Sequence, residues 1–349
     1  MKCSLQQHAW LKSGIFLLAC IALLFCFTGC HKGNFYPPKA TITTVATGLQ
    51  GPMGMEIDRA GNIWLAETGT GNNDGKVLII KPNGVKYDAI INLSSMPNAL
   101  SGELEGPAHL LLDKGWLYIL AADYLYRVNV ASFKPGDKAL DGSKLDFEDV
   151  GTAIRDLQIV DPNDSHPYNL TKGPDGDLYI VDAGANAVIH RKSAGNYSVL
   201  AMLPNLPNPT GIGGPTEQAV PTGIIYDGHD FLVSTLTGFP FPADQAVIYK
   251  VSLAGKNNVS IYKGGFTTLV DIAQGNSYGH VVLGHGSFAF APPPPNFLPN
   301  TGSLILVTRD SSIVLTGGLN IPSALAQIND HSWYITSLGD GTILKVNYQ

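Results

Sequence analysis

The sequence predicts an all-β protein, a six-bladed β-propeller closed by an outer strand from the N-terminal side of the chain. Three observations predict it: a strand-turn-strand unit that recurs six times, second strands that are apolar at nearly every position, and a last unit that is one strand short. The units open at Pro52 (PMGMEID), Pro107 (PAHLLLD), Pro167 (PYNLTKG), Pro221 (PTGIIYD), Asp271 (DIAQG) and Pro322 (PSALAQI). Their spacing of roughly 50 to 60 residues suits four-stranded propeller blades.

Each element follows from local chemistry. Turn pairs such as Asp175-Gly176, Asp227-Gly228 and Asp340-Gly341 punctuate the chain, and no long amphipathic pattern intervenes. The second strands, among them Ile63-Trp64-Leu65-Ala66 and Leu178-Tyr179-Ile180-Val181, do not alternate. A sheet with one wet face would alternate, so these strands are expected to be covered on both faces. Units one, three and four continue into a fourth strand (86–93, 196–203 and 258–266), whereas the sixth stops after Thr342 to Val346. The β-branched segment Thr41 to Leu49 (TITTVATGL) is the expected missing strand, and it would also cover an exposed edge.

Residues 1–29 stand outside the array. Lys2 and Lys12 bracket a polar start, and an uncharged run from Ser13 to Phe27 follows. Fifteen helical residues reach only about 22 Å, short of a hydrocarbon core of roughly 30 Å, so an export signal is expected. The ending Phe27-Thr28-Gly29-Cys30 resembles a bacterial lipobox, which implies lipid on Cys30; a plain secretory signal with an incidental cysteine is the alternative. Residues 30–40 then form a proline-bearing tether and 41–349 the propeller. Cleavage would leave one cysteine and no internal disulfide. The expected location is the cell envelope, at the outer membrane if the host has two membranes, since His31 follows the lipidated position.

Removing residues 1–29 takes away two lysines and no acid, which moves the formal charge from −6 to −8. Such a surface repels phosphate backbones, so nucleic acid is not an expected partner. The expected partners are the membrane, through lipid, and a small molecule or a protein, with the chain itself a monomer.

In an up-and-down blade, the loops between strands two and three and those between blades share one face. Nearly every long insertion falls there: 67–75, 237–244 and 287–300 within blades, and 94–106, 131–166 and 204–220 between them. Variable loops on a rigid scaffold are a usual place for a binding site. The chain resembles the ScyD/ScyE family of secreted propellers over roughly residues 44 to 346. The likeness is carried by Val220-Pro221-Thr222-Gly223, by the run from Ser234 through LTGFPFP to Pro242, and by Tyr262 to Asp271, with Asp182-Ala183-Gly184-Ala185-Asn186 and Glu67-Thr68-Gly69-Thr70-Gly71. It implies an exported, NHL-like or TolB-like six-bladed propeller with no settled reaction.

The candidate ligand-binding residues are Glu67, Glu105, His109, Asn169, Asp182 and Asp271 at strand ends, with Phe239 and Phe241 on an aromatic rim. Converging carboxylates and carbonyls would suit calcium, which takes six to eight oxygens at about 2.3 to 2.6 Å. Equally, Glu67 and Asp182 would serve loop amides, and the phenylalanines would pack under stiff prolines. Glu105-Gly106-Pro107 looks like the glutamate motif of calcium-dependent lactonases similar to regucalcin, but Thr222 stands where their metal-binding asparagine would be. A quinone-dependent sugar dehydrogenase would share the opening Gly48-Leu49 to Pro52-Met53-Gly54 but not the later motifs. No catalytic residue and no certain cofactor is assigned; a binding module is the first reading and a calcium-dependent lactonase or related hydrolase the alternative.

Overall fold

The computed structural model describes residues 40–98, 102–255, 258–275, 279–291 and 293–348. The expected signal segment, Cys30 and nearly all of the expected tether lie outside the described residues. Six antiparallel sheets follow one another along the chain. Their innermost strands are Pro52–Ile57, Pro107–Asp113, Pro167–Lys172, Pro221–Tyr226, Leu269–Gln274 and Pro322–Asn329. Each neighbours the next, and the sixth neighbours the first, so the inner strands close a ring.

Closure is made as the sequence predicts. Ala40–Ala46 is the outermost strand of blade six, antiparallel to Thr342–Tyr348, with Ile42 opposite Val346 and Thr43 opposite Lys345. A second clasp lies at the axis, where Ser323 Oγ of blade six donates to the Pro52 carbonyl of blade one at 2.7 Å. Among the described residues no helix is long and apolar enough to cross a membrane.

The cores sit between blades rather than within one globule. Six hydrophobic clusters occupy the six clefts; Leu65, Leu78 and Tyr334 fill the cleft between blades six and one, and Trp64, Ala66 and Leu110 the cleft between one and two. Neighbouring residues of one second strand thus serve two different cores. This is why Ile63–Glu67, Leu178–Asp182 and Phe231–Thr235 are buried at every position.

Blade two departs from the expected plan. Its outer strand is only Phe147–Asp149, placed within the 131–166 segment that reads as a loop in the sequence. The same segment sends Leu140–Asp141 to blade one as a parallel fifth strand and forms the short helix Val150–Arg155, capped by the Asp149 carboxylate. The excursion is pinned by charge: the Arg155 guanidinium spans both oxygens of Asp123, at 3.2 and 2.7 Å.

One irregularity recurs in all six blades and shapes the axis. Every innermost strand carries a bulge near its start, between Pro107 and His109 in blade two and between Leu269 and Asp271 in blade five. A bulge re-aims the next side chain. Gly54 and Gly223 hold this position in the blades just before those of His109 and Asp271: a Cβ on Gly54 would lie 2.6 Å from the Ala108 carbonyl and the His109 Cα, and one on Gly223 would lie 2.7 Å from the Ile272 amide. Both contacts are with backbone and cannot yield cheaply. Gly54→Ala and Gly223→Ala are each expected to lower stability by about 1 to 3 kcal/mol in denaturant titrations; an unchanged midpoint would show that the inner strands can separate freely.

Candidate functional site in the axial channel

The ring encloses a cavity of about 330 Å³ to which every innermost strand contributes. Its walls are mixed, with Leu111, Ile225, Ala273 and Ala326 interspersed with Glu56, Thr171, Gln274 and Gln327. At its closed end lie His109, Asn169 and Asp271. Residues one step further toward the long loops, including Thr222 and Ser323, are buried, whereas Ile57, Gln274 and Gln327 are partly or fully exposed. The cavity therefore opens toward the short turns that join strands one and two.

Asp271 organises the closed end. Its Oδ1 accepts from the Asn169 side-chain amide at 3.2 Å and from the Ile272 amide at 2.9 Å, and its Oδ2 accepts from the Leu325 amide at 2.9 Å. Blades three, five and six are thus joined through one carboxylate. His109 Nε2 stands 3.9 Å from Asp271 Oδ2, too far for a hydrogen bond. Neither ring nitrogen of His109 has a hydrogen-bond partner, although the side chain is only 5% exposed. Such a group is unusual, because buried polar atoms are normally satisfied.

Tyr168 links this layer to the long-loop face. Its ring lies 4.9 Å from that of His109 and 5.8 Å from that of His166. Burial pushes its phenol up, so it stays a neutral donor and acceptor. His166 Nδ1 is 3.5 Å from Glu105 Oε1, which accepts from Asn98 Nδ2 at 2.6 Å. Burial raises the Glu105 carboxyl against the opposing pull of His166 and Asn98. A column of Glu105, His166, Tyr168 and His109 thus runs from the loops to the axis.

The structure brings Glu105, His109, Asn169 and Asp271 onto this path and leaves the other candidates apart. Asp182 is fully buried and spent on its own loop, accepting from Ser165 Oγ and from the amides of His166 and Ala185 at 2.6 to 2.8 Å. Glu67 accepts from the Gln50 amide at 2.8 Å and pairs with Lys76 at 3.1 Å, beside a separate cavity of about 270 Å³. Phe239 and Phe241 pack with Phe288, Phe290 and Phe297, and Phe288 faces Phe297 across the ribbon Phe288–Ala289 with Asn296–Phe297. Phe239 remains 58% exposed at the edge of that cluster.

Glu56 and Glu217 are not among the residues singled out from the sequence. Glu56 occupies the inner-strand position at which the other blades carry Leu111, Thr171, Ile225, Ala273 and Ala326. Burial pushes its carboxyl up to about 8, opposed by the Leu112 amide and reinforced by Asp271. Aligning the six units would have exposed this lone acid. Glu217 sits in a two-stranded ribbon, Leu206–Pro207 with Thr216–Glu217; burial raises it to about 7, and neither carboxylate oxygen has a hydrogen-bond partner. The ribbon Met96–Pro97 with Leu104–Glu105 repeats this arrangement around Glu105.

A calcium site of the expected kind would need oxygens drawn together. Glu67, Glu105 and Asp182 are instead each engaged by protein donors. Among the described residues, Asp175, Asp177 and His190 approach one another within 4.8 Å, in blade three and away from the axis, where Asp177 and His190 already pair at 2.8 Å and Tyr179 donates to Asp175.

No protein-family model and no curated protein matches the chain. Solved structures do. The PQQ-bound aldose sugar dehydrogenase of Streptomyces coelicolor is 15% identical over 90% of this chain and 99% of its own, with a TM-score of 0.56. A gluconolactonase of Xanthomonas campestris is 10% identical over 90% and 95%, with a TM-score of 0.53. Virginiamycin B lyase of Staphylococcus aureus is 14% identical over 89% and 99%, with a TM-score of 0.51. What the chain shares with these proteins is their fold, a six-bladed β-propeller.

Proposed function

We propose that the chain is a ligand-binding propeller of ScyD/ScyE type, exported and held at a membrane by lipid on Cys30, with its ligand in the axial cavity. The observation that carries this reading is the closed end of the channel, where a buried histidine with two unpartnered nitrogens meets a carboxylate that ties three blades. A concave cavity on a rigid scaffold ending in a few convergent polar groups is the usual form of a small-molecule site. The ScyD/ScyE assignment rests on the LTGFPFP run and its companions.

A fragment screen by ligand-observed NMR tests the site. Thr171→Phe, at a half-buried wall position, should retain the melting behaviour of the parent and lose its ligands. Ligands that bind parent and variant alike would place recognition elsewhere, with the long loops and their phenylalanine cluster next in line. The anchor is tested by fatty-acid labelling of the full chain, expected to vanish in Cys30→Ser.

A propeller hydrolase is the second reading. Its support is the proximity of His109 Nε2 to Asp271 Oδ2, 3.9 Å apart and within reach of becoming a base and its orienting acid once a substrate is seated, together with the names of the gluconolactonase and lyase neighbours. Lactone or ester turnover abolished by His109→Ala would favour it over binding alone.

A further inference from the structure

We infer that the axial cavity takes a small organic cation, an ammonium group on an apolar body, with its charge directed at the Glu56 and Asp271 carboxylates. This rests on the reading of the cavity as the ligand site and names the class of ligand.

The argument starts from the residues that line the space. Two of them are carboxylic acids, none is lysine or arginine, and the one side chain able to carry positive charge is His109. The nearest lysine along an inner strand, Lys172, is already paired with Asp113 at 2.5 Å. Asp58, at the turn that follows Glu56, is taken up by Asn62 and Trp64. Asp271 accepts three N–H groups, which are dipoles and not charges. No lysine or arginine lines the cavity beside it, and His109, 3.9 Å away, is the one neighbour there able to carry positive charge. The Tyr168 phenol, raised by burial, brings no charge to the layer.

The apolar part of the wall accommodates the rest of the ligand. Leu111, Ile225, Ala273 and Ala326 would cover an alkyl or aryl body. His109 gives the second, independent sign of an occupant, since both its nitrogens are buried and unpartnered at the closed end of the cavity. As a neutral imidazole it can accept an N–H from an ammonium that also reaches Asp271 Oδ2, 3.9 Å away. Calcium suits the site less well, because it needs six to eight oxygens and those of Asp271 are already accepting backbone and amide protons.

Glu56 makes the proposal readable in solution. With its carboxyl near 8, it is largely protonated at pH 7, and a cation bound beside it draws the proton off. The titratable groups that share the cavity with it are Asp271 and His109; the Leu112 amide is its donor.

Three probes of one shape separate the possibilities: 2-phenylethylammonium, 2-phenylethanol and phenylacetate, titrated calorimetrically into the full propeller, with calcium chloride as a fourth. The ammonium alone should bind, releasing a proton at pH 7 and tightening by about tenfold between pH 7 and pH 9 as Glu56 ionises. Glu56→Gln, which keeps shape and the acceptor for Leu112, should abolish both the proton release and the pH dependence while melting as a folded protein. An ammonium that binds no better than the alcohol, that fails to bind, or that is displaced by a calcium ion bound in its place overturns the inference. Binding of the alcohol alone, lost in Thr171→Phe, would do so while leaving the cavity standing as the ligand site.

Discussion

Glu56→Gln will be more stable than the parent at pH 8 and indistinguishable from it near pH 4.5. The folded carboxyl titrates near 8 against an ordinary value of 4.5, so between those limits the folded state holds a proton that the unfolded chain has released. Stability therefore falls with rising pH across this window, because the native state binds more protons than the unfolded one. Below the unfolded value both states are protonated and no cost is present. A shift of this size corresponds to an upper bound of about 4 kcal/mol at pH 8, reduced by whatever water reaches the half-buried carboxyl. Glutamine has no charge to lose and still offers an oxygen to the Leu112 amide. Urea titrations at pH 4.5, 6.5 and 8 should show the gap opening with pH; a constant difference would mean that packing, not charge, separates the two proteins.

Deleting Ala40–Ala46 will cost most of the stability of the propeller. Six residue pairs to Thr342–Tyr348 are lost, and with them Val45 and Ala46 from the cleft between blades six and one. At roughly 1 kcal/mol for each hydrogen bond, before any apolar contribution, the loss is of order 5 kcal/mol. A typical domain has only about 5 to 15 kcal/mol in total. The truncated protein should melt far lower and self-associate through the bared edge of Thr342–Tyr348. Size-exclusion chromatography and thermal melting check both; a truncated chain that is monomeric and melts like the parent would mean that the axial clasp of Ser323 and Pro52 suffices.

Much of the fold was legible because its signals are local. Proline-led inner strands, apolar second strands and the β-branched TITTVA run each report a physical requirement within a few residues. Blade two's outer strand escaped because Phe147-Glu148-Asp149 is short and acidic, and its place is fixed by tertiary pairing with Tyr124–Asn129. The candidate site was legible only in part. His109, Asn169 and Asp271 stand out as polar residues near the starts of inner strands, but that they meet depends on the bulge and on Gly54 and Gly223, whose role is steric and long-range. Glu67 and Asp182 looked equally suitable and proved to be bound by their own loops. Glu56 was hidden because one acid within an apolar strand means little until the six strands are laid around a common axis.

The strand that closes the ring also sets the order in which the chain can acquire its structure. Thr43 finds Lys345 about 300 residues away, so joining them costs an entropy of closure of about 5 kcal/mol in an open chain. Blades one to five can assemble from neighbours as each hairpin forms. The sixth cannot finish until both ends of the propeller sequence are present, which makes ring closure the slow and last event in folding. Until then the segment that includes Ile42 and Val45 waits as a lone, β-prone strand, and the same chemistry that seals the molecule is its chief hazard of mispairing with another copy.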